Sequence, residues 1–240
     1  MCARITLTTT GTEIADLFGL AYDISQERPR RFNIAPSQAI PVVRLTNGKR
    51  ELTELRWGLV PSWANSEKAR TGGHINARVE TITEKPAFRA AFRLRRCLVP
   101  TDGFYEWKQR GKKKQPYFFR KSGGGVLAYA GIWESWHGPA GVVETVALLT
   151  VAANDLVKPI HDRMPAILSE DSFDLWLDSK ETCAERLLPL LTPYPVEQME
   201  RWPVSDRVNA ASVDEPTLVF PIPEPPAPLW SQPSLFDCFI

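Results

Sequence analysis

The feature that most constrains this fold is a series of strand-length apolar segments separated by turn residues. Three of them alternate or run apolar and are separated by glycine-rich turns: "PYFFRK" (116–121), "VLAYAGIW" (126–133) and "VVETVALLTVA" (142–152). In the segment of residues 40–60, Asn47-Gly48 lies between two more apolar-alternating runs, which is a strong signal for a β-hairpin. The chain is therefore predicted to be rich in strands.

Short helices are expected around these strands at residues 12–18, 85–93 and 169–177. Gly19 is predicted to end the first, because glycine readily adopts the left-handed conformation that closes a helix. Pro86 suits the first turn of the second, and Ser169, followed by acidic residues, is a candidate N-cap for the third. The predicted fold class is α+β, with a largely antiparallel, barrel-like β-sheet core and short peripheral helices.

The chain is predicted to form one domain, residues 1–214, followed by a tail, residues 215–240. A chain of 240 residues with 43% hydrophobic content can bury one large core. Within the domain, the polar residues 65–74 with their paired glycines are expected to form a loop. From Glu215 onward the sequence is dense in proline, which lacks the amide hydrogen that a β-ladder needs, so an extended tail is expected.

Charge is distributed unevenly along the chain, although the net charge is only +1. Residues 1–125 contain 23 Lys and Arg against 11 Asp and Glu, a net charge of +12, whereas residues 126–240 contain 6 against 17, a net charge of −11. A basic excess of this size favours a polyanionic partner such as nucleic acid. The alternative is that the two halves neutralise each other across the fold.

The four cysteines, Cys2, Cys97, Cys183 and Cys238, have neither the C-x-x-C spacing of a zinc site nor the pattern of a disulfide framework. No stretch approaches the roughly 18 apolar residues that span a bilayer, and no secretion signal opens the chain. The expectation is a cytoplasmic monomer that contacts no membrane and uses no metal or other cofactor.

Cys2 is the most distinctive candidate for chemistry. Loss of Met1 would leave an N-terminal cysteine, whose α-amine and thiol have ordinary pKa values of about 8 and about 8.5. Such an amine condenses with an aldehyde to give an imine, and the thiol then closes onto the imine carbon to form a five-membered thiazolidine. The alternative is that Cys2 is only a small buried side chain, as free cysteines commonly are.

Three further segments place polar side chains in apolar surroundings. Glu106 lies among aromatic residues in "TDGFYEWK", where burial would raise its pKa and suit it to proton transfer. His161 in "KPIHDRMPAIL" and Asn76 in "HINARVET" are the other candidates. A solvent-facing glutamate and a turn histidine bonded to the backbone are the alternative interpretations.

Taken together, these segments resemble the SRAP family, the SOS-response-associated peptidases that form covalent links to abasic DNA. The resemblance is carried in chain order by "MCAR", "RFNIAPSQ" (31–38), "LRWGLVPSWA" (55–64), "INARVET" (75–81), "KPAFR" (85–89), "RRCLVPTDGFYEWK" (95–108), "IHDRMPAIL" (160–168) and "PVSDRVN" (203–209). It implies the SRAP fold and a catalytic set of Cys2, Asn76, Glu106 and His161. The sequence departs from the family at Ala3, where glycine usually follows the cysteine, and the added methyl affects how closely the backbone approaches DNA.

The resemblance also implies a function, namely a sensor of abasic sites in single-stranded DNA. The protein would crosslink to these sites through Cys2 after loss of Met1, protect them during replication and the SOS response, and associate with the nucleoid while bound. Glu106 and His161 would move protons, and Asn76 would orient the Cys2 amine. A cysteine-type (auto)peptidase that uses Cys2, and a non-covalent single-stranded DNA-binding module, are the alternatives.

Candidate DNA contacts lie within the matching motifs. The candidates for phosphate contacts are Arg4, Arg78 and Arg163, with Lys85 and Arg89 as weaker ones. Trp63 and Trp107 are candidates for base stacking, whereas Trp57, Trp133 and Trp176 are expected in the core. The basic run of residues 108–115 either extends this surface or forms an exposed hairpin turn.

The proline-rich tail contains "QPSLF" (232–236), which resembles the pentapeptide by which bacterial repair proteins bind the replication sliding clamp. Gln232 would supply hydrogen bonds, and Leu235 and Phe236 would be apolar anchors. The clamp is therefore a candidate partner. A chance match in a low-complexity tail, or a tail that folds back onto the domain, is the alternative.

Overall fold

Two β-sheets build the molecule, as seen in a computed structural model that describes residues 2–20, 28–64, 72–139, 141–224 and 226. The strands are β1 (Ile5–Leu7), β2 (Arg31–Ile34), β3 (Ala39–Thr46), β4 (Lys49–Trp57), β5 (Asn76–Arg78), β6 (Arg96–Thr101), β7 (Gly103–Arg110), β8 (Lys113–Lys121), β9 (Leu127–Gly138), β10 (Gly141–Ala152), β11 (Arg163–Pro165), β12 (Ile167–Leu168) and β13 (Met199–Pro203). The α-helices are α1 (Gly11–Phe18), α2 (Arg89–Leu94), α3 (Phe173–Leu177) and α4 (Ala184–Leu187). Short 3-10 helices span Val79–Thr81, Glu170–Ser172, Leu188–Leu190, Val196–Gln198, Asp206–Asn209 and Pro216–Val219.

The hairpin predicted at Asn47-Gly48 is confirmed. Strands β3 and β4 pair antiparallel and are joined directly by these two residues. Asn47 and Gly48 have φ values of 51° and 76°, the left-handed values that a two-residue type I′ turn requires. The other predicted strands fall in β8, β9 and β10, and the basic run of residues 108–115 forms the β7–β8 hairpin.

The larger sheet closes on itself into a five-stranded barrel. Strand β10 pairs with β9, β9 with β6, β6 with β3 and β3 with β4, and β4 returns to β10. Only the β4–β10 pairing in this ring is parallel, so the predicted α+β fold with a largely antiparallel, barrel-like core is confirmed. Strands β5 and β11 pair with β10, and β12 pairs with β9, which extends the sheet beyond the ring.

The smaller sheet is antiparallel, in the order β13-β8-β7-β1-β2, and is buried on both faces. Because successive residues of a strand point to opposite faces, Phe104 of β7 joins the main core shared with the barrel. Tyr105 instead joins a second core with Phe118, Val208 and Leu218. Residues 103–106 of β7 are therefore enclosed. A polar side chain buried there is expected only where hydrogen-bond partners or a functional site surround it.

The first residues of the predicted tail pack against this second sheet. Pro216–Val219 form a turn of 3-10 helix in which Leu218 is buried, and the Trp202 indole donates to the Val219 carbonyl at 2.8 Å. This part of the proline-rich segment is thus attached to the domain surface. The clamp-like residues Gln232, Leu235 and Phe236 lie outside the described residues.

The three predicted helices are present, with shifted starts. Helix α1 begins with a capping box and ends at Gly19, whose φ is 60°. Helix α2 begins at Arg89, after the turn that contains Pro86, and Ser169 precedes a 3-10 turn that leads into α3 without a side-chain cap bond. Of the loop predicted at 65–74, residues 65–71 lie outside the described part of the chain.

The basic and acidic halves of the chain meet in the fold. In the described part of the chain, ion pairs between a basic residue of the first half and an acidic residue of the second are Arg31–Asp214, Arg44–Glu144, Arg50–Asp174, Arg95–Glu134, Arg110–Glu224 and Arg120–Glu200. Part of the basic excess is therefore neutralised internally. Trp57 and Trp176 are buried as predicted, and the half-buried Trp133 packs on the core beneath the Arg44 guanidinium.

Arg96 is a buried cation that sequence patterns did not single out. Its guanidinium donates to five main-chain carbonyls, those of Phe92, Arg93, Trp176, Asp178 and Glu181. Burial lowers its pKa to about 10. Because the carbonyls lie at the ends of α2 and α3, Arg96 satisfies helix C-termini that would otherwise lack partners.

In the part of the chain that the structure describes, no helix is long and apolar enough to span a membrane.

Candidate active site

A cleft of about 540 Å³ lies where the chain leading into β1 runs beside β7. It is lined by Ala3, Arg4, Glu106, Trp107, Lys114, His161 and Asn209. The lining residues come from the start of the chain, from the β7–β8 hairpin, from the turn before β11 and from the segment after β13. The fold thus brings together motifs that are far apart in sequence.

Cys2 precedes Ala3 of the cleft lining and is held there by hydrogen bonds to the carbonyls of Cys2 and Arg4. Strand β1 pairs with β7, and the Tyr105 amide donates to the Arg4 carbonyl at 3.0 Å, which keeps the residues before β1 beside β7. The Asn76 Nδ2 donates to the Cys2 carbonyl at 2.8 Å. The Cys2 side chain is fully buried, and burial, together with the nearby Glu106 carboxylate, raises the pKa of its thiol well above the ordinary value.

Asn76 reaches Cys2 because β5 lies at the edge of the barrel. Its position pairs with Leu148 of β10 in a parallel ladder, so the backbone of Asn76 is fixed by the barrel while its amide crosses to the start of the chain. Among the described residues, its side-chain Oδ1 is buried without a hydrogen-bond partner. The amide nitrogen of Asn76 therefore holds the Cys2 carbonyl, and its amide oxygen is a hydrogen-bond acceptor beside Cys2.

Glu106 is buried in β7, with 2% of its surface exposed. Burial raises its pKa from an ordinary 4.5 to about 7, and the carboxylate of Asp162 contributes in the same direction. A carboxyl with this pKa exists in both protonation states near neutral pH. It can therefore accept a proton and return it during one reaction cycle.

His161 lies in the turn before β11. Its amide donates to the Val157 carbonyl at 3.0 Å, and its Nδ1 lies 3.0 Å from both the Arg163 amide and an Asp162 carboxylate oxygen. Burial lowers the pKa of the imidazole below its ordinary value, which favours the neutral form. When the Nδ1 lone pair accepts the Arg163 amide, the proton of the neutral ring is on Nε2.

The predicted DNA contacts separate into two groups. Arg4 and Trp107 line the cleft, with the Trp107 indole donating to Asn209. The other exposed candidates lie outside the cleft lining: Trp63, with 62% of its surface exposed, Arg78 beside Asn76 in β5, and Lys85 and Arg89 at the start of α2. Their roles in DNA binding stay predictions.

Arg163 occupies a different environment from the other predicted phosphate contacts. Its side chain is 8% exposed, and its guanidinium makes a bidentate ion pair with Glu80 at 2.6 and 2.9 Å and also donates to the Thr150 carbonyl. A phosphate contact by Arg163 would require this ion pair to open. In this structure Arg163 instead lies at the start of β11, two residues after His161, and bonds to Glu80 in the 3-10 helix that follows β5 and to Thr150 of β10.

Two residues that line the cleft were missed as individual candidates. Asn209 ends the "PVSDRVN" motif, and Lys114 belongs to the basic run of residues 108–115. The motif and the basic run were the available signals, but which of their side chains reach the cleft depends on tertiary packing. In the described part of the chain, no cluster of three or more His, Cys, Asp or Glu is arranged to hold a metal ion.

The family model of the SOS response associated peptidase (SRAP) matches residues 1–211. The chain belongs to the SRAP family. The matched region contains each member of the predicted catalytic set and every residue that lines the cleft.

Three relatives are each described as an abasic site processing protein. This SRAP chain is 38% identical over 224 residues to the abasic site processing protein YoqW of Bacillus subtilis, covering 91% of this chain and 99% of that protein. It is 41% identical over 219 residues to the abasic site processing protein YoaM of the same organism, covering 88% of this chain and 93% of that one. It is 34% identical over 203 residues to the abasic site processing protein HMCES of Gallus gallus, covering 73% of this chain but only 59% of HMCES.

Solved structures show the same fold. A crystal structure of a protein from Bacteroides thetaiotaomicron matches with a TM-score of 0.82 and 27% identity, covering 92% of this SRAP chain and all of the other. A protein from Bordetella bronchiseptica matches with a TM-score of 0.72 and 25% identity, covering 85% of this chain and all of the other.

Proposed function

We propose that this SRAP protein recognises abasic sites in single-stranded DNA and links to them covalently through Cys2 after Met1 is removed. The observation that carries the proposal is the placement of Cys2. Asn76 holds its carbonyl at 2.8 Å, beside a buried Glu106 whose pKa is about 7. The relatives named abasic site processing proteins support the substrate class.

The first step would be attack of the Cys2 amine on the aldehyde of the ring-opened deoxyribose. A terminal amine has a pKa about 2–3 units below that of lysine, so much more of it is free base at pH 7. The buried Oδ1 of Asn76 is a suitable acceptor for a hydrogen bond from this amine, because the same side chain already holds the Cys2 carbonyl. The new C–N bond gives a carbinolamine.

Loss of one water from the carbinolamine would then give an imine, and addition of the Cys2 sulfur to its carbon would close the thiazolidine. Glu106 would accept the proton that the amine releases and return it to the departing hydroxyl, which its pKa of about 7 permits. Before these steps, His161 would assist opening of the sugar ring by moving one proton from the C1′ hydroxyl to the ring oxygen, which leaves the imidazole in the protonation state in which it began. The overall reaction consumes one aldehyde and one aminothiol and releases one water.

Cleavage at Cys2 is a second candidate function that one observation favours. Cys2 lies next to Asn76 and Glu106, so a self-directed peptidase step that frees its amine would use the same residues. The peptidase activity is therefore proposed as preparation for crosslinking.

Incubation with single-stranded DNA that contains one abasic site, followed by denaturing electrophoresis, tests the proposal. A slower band resistant to denaturation is expected with the wild type, and none with Cys2→Ala. Cys97→Ala is the matched control, since Cys97 is another fully buried free cysteine and is not among the residues that line the cleft. An adduct formed equally by Cys2→Ala would exclude this chemistry.

A further inference from the structure

Residues 205–214, here called the cleft wall, form one side of the cleft through Asn209. The Asn209 carbonyl accepts a hydrogen bond from Arg4 Nη2 at 3.2 Å. The side-chain Oδ1 of Asn209 accepts one from the Trp107 indole at 2.7 Å. A single residue of the cleft wall is therefore bonded to both candidate DNA contacts that line the cleft.

The cleft wall is itself held by Asn33 of β2, which is not among the residues that line the cleft. Asn33 is 1% exposed, and its Nδ2 donates to the carbonyls of Val208, Ala210 and Val213 at 3.2, 3.0 and 2.8 Å. These carbonyls lie on both sides of Asn209 in sequence. An uncharged amide fits this position, because it supplies two N–H donors without placing a charge in a buried site.

Neighbouring contacts connect the same segment to the strands of the site. Val208 is buried in the second core with Tyr105, and the Tyr105 hydroxyl donates to the Phe32 carbonyl at 2.8 Å. The Phe32 amide in turn donates to the Asp214 carboxylate at the end of the cleft wall. The conformation of the wall is thus determined by β2 and β7, the strands next to Cys2 and Glu106.

We propose that Asn33 and Asn209 are positioning residues for DNA binding. Asn33 fixes the cleft wall, and Asn209 holds Arg4 and Trp107 in the orientations that receive a phosphate and a base. The inference rests on the proposed function, since it takes single-stranded DNA as the occupant of the cleft. Because the hydrogen bonds of Asn209 join it to Arg4 and Trp107, and those of Asn33 join it to carbonyls of the cleft wall, their loss should weaken DNA binding and leave the chemical step unchanged.

The test measures the crosslinking rate against the concentration of abasic single-stranded DNA for the wild type, Asn209→Ala, Asn33→Asp and Ser212→Ala. For Asn209→Ala the half-saturating DNA concentration should rise about three- to tenfold, the effect of losing one hydrogen bond. Asn33→Asp should raise it by roughly tenfold or more, because a carboxylate would face three carbonyls. Both limiting rates should stay within about twofold of the wild type. Ser212, an exposed residue of the same wall, provides the matched control.

A merely structural role gives a different pattern, in which the active fraction and limiting rate fall while the half-saturating concentration stays constant. That pattern would overturn the inference. Asn209→Ala decides the matter if Asn33→Asp does not fold, since Asn209 is exposed and its replacement leaves the Asn33 contacts in place. Fluorescence anisotropy with undamaged single-stranded DNA separates the two proposals: a wild type that binds this DNA but forms no adduct with abasic DNA contradicts the function, whereas unchanged affinity in both variants contradicts the positioning role.

Discussion

Glu106→Gln should stabilise the folded protein at neutral and alkaline pH. Burial raises the pKa of Glu106 from 4.5 to about 7, so the folded protein binds this proton more tightly than the unfolded chain does. The stabilisation from this proton is complete below pH 4.5 and is lost as the pH rises through about 7. Each pKa unit corresponds to about 1.4 kcal/mol, so ionising Glu106 costs up to about 3 kcal/mol by pH 8. The uncharged glutamine avoids this cost.

Thermal unfolding between pH 4.5 and 8 measures the effect. In a protein of this size each kcal/mol shifts the Tm by about 2–4 °C, so Glu106→Gln should unfold several degrees above the wild type at pH 8 and within about one degree of it at pH 4.5. Glu80→Gln is the control of opposite sign, because Arg163 holds the pKa of Glu80 below its usual range and the variant should lose stability at neutral pH.

The same Glu106→Gln protein should crosslink abasic DNA more slowly while binding it with nearly unchanged affinity, because it loses a proton acceptor and no phosphate contact. A functional carboxyl that costs stability is expected where activity requires a buried proton carrier. Equal stability of wild type and Glu106→Gln at pH 8 would refute the assignment of a raised pKa. A normal crosslinking rate would refute the proton-transfer role.

Three other predictions concern surfaces and the core. Arg78→Ala should weaken binding to single-stranded DNA and reduce the slope of log affinity against log salt by about one, as seen in anisotropy titrations; an unchanged slope would rule out a phosphate contact. Arg96→Met should destabilise the fold by about 3–5 kcal/mol in urea unfolding, because five carbonyls lose their donor, and a loss below about 1 kcal/mol would contradict its structural role. A labelled peptide of residues 228–240 should bind purified sliding clamp at micromolar levels and lose binding when Gln232 and Phe236 are both changed to Ala, whereas binding indifferent to these changes would remove the clamp as a partner.

Local patterns were sufficient to predict much of the fold. The Asn47-Gly48 hairpin, the end of α1 at Gly19 and the strands β8 to β10 follow from turn chemistry and hydrophobic alternation, which act between near neighbours. Local patterns do not show which strands close the barrel, because the parallel β4–β10 pairing joins segments that are distant in sequence. The packing of Leu218 on the second sheet could not be predicted for a similar reason. A proline-rich composition shows that a segment lacks amide donors for a β-ladder, but it does not show whether the segment packs on the domain.

The candidate site also combines features that local motifs predict with features that depend on tertiary packing. Motifs identified Asn76, Glu106 and His161, and the structure places all three around Cys2 or its cleft. Sequence could not distinguish an exposed arginine from a buried one engaged in an ion pair, as Arg163 is with Glu80. The supporting roles of Asn33 and Arg96 were also hidden, because their partners are main-chain carbonyls, which leave no pattern in the side-chain sequence.

The intact mass of the DNA–protein adduct tests the central claim most directly. Wild-type protein should form an adduct whose mass equals the protein without Met1 plus the abasic DNA, less one water, and borohydride should not change that mass because the thiazolidine contains no imine. Cys2→Ser keeps the amine and should give only an imine, so its adduct should gain two hydrogens on reduction. A wild-type adduct that retains Met1, or one that borohydride reduces as readily as the Cys2→Ser adduct, would contradict a thiazolidine formed at the N-terminal Cys2.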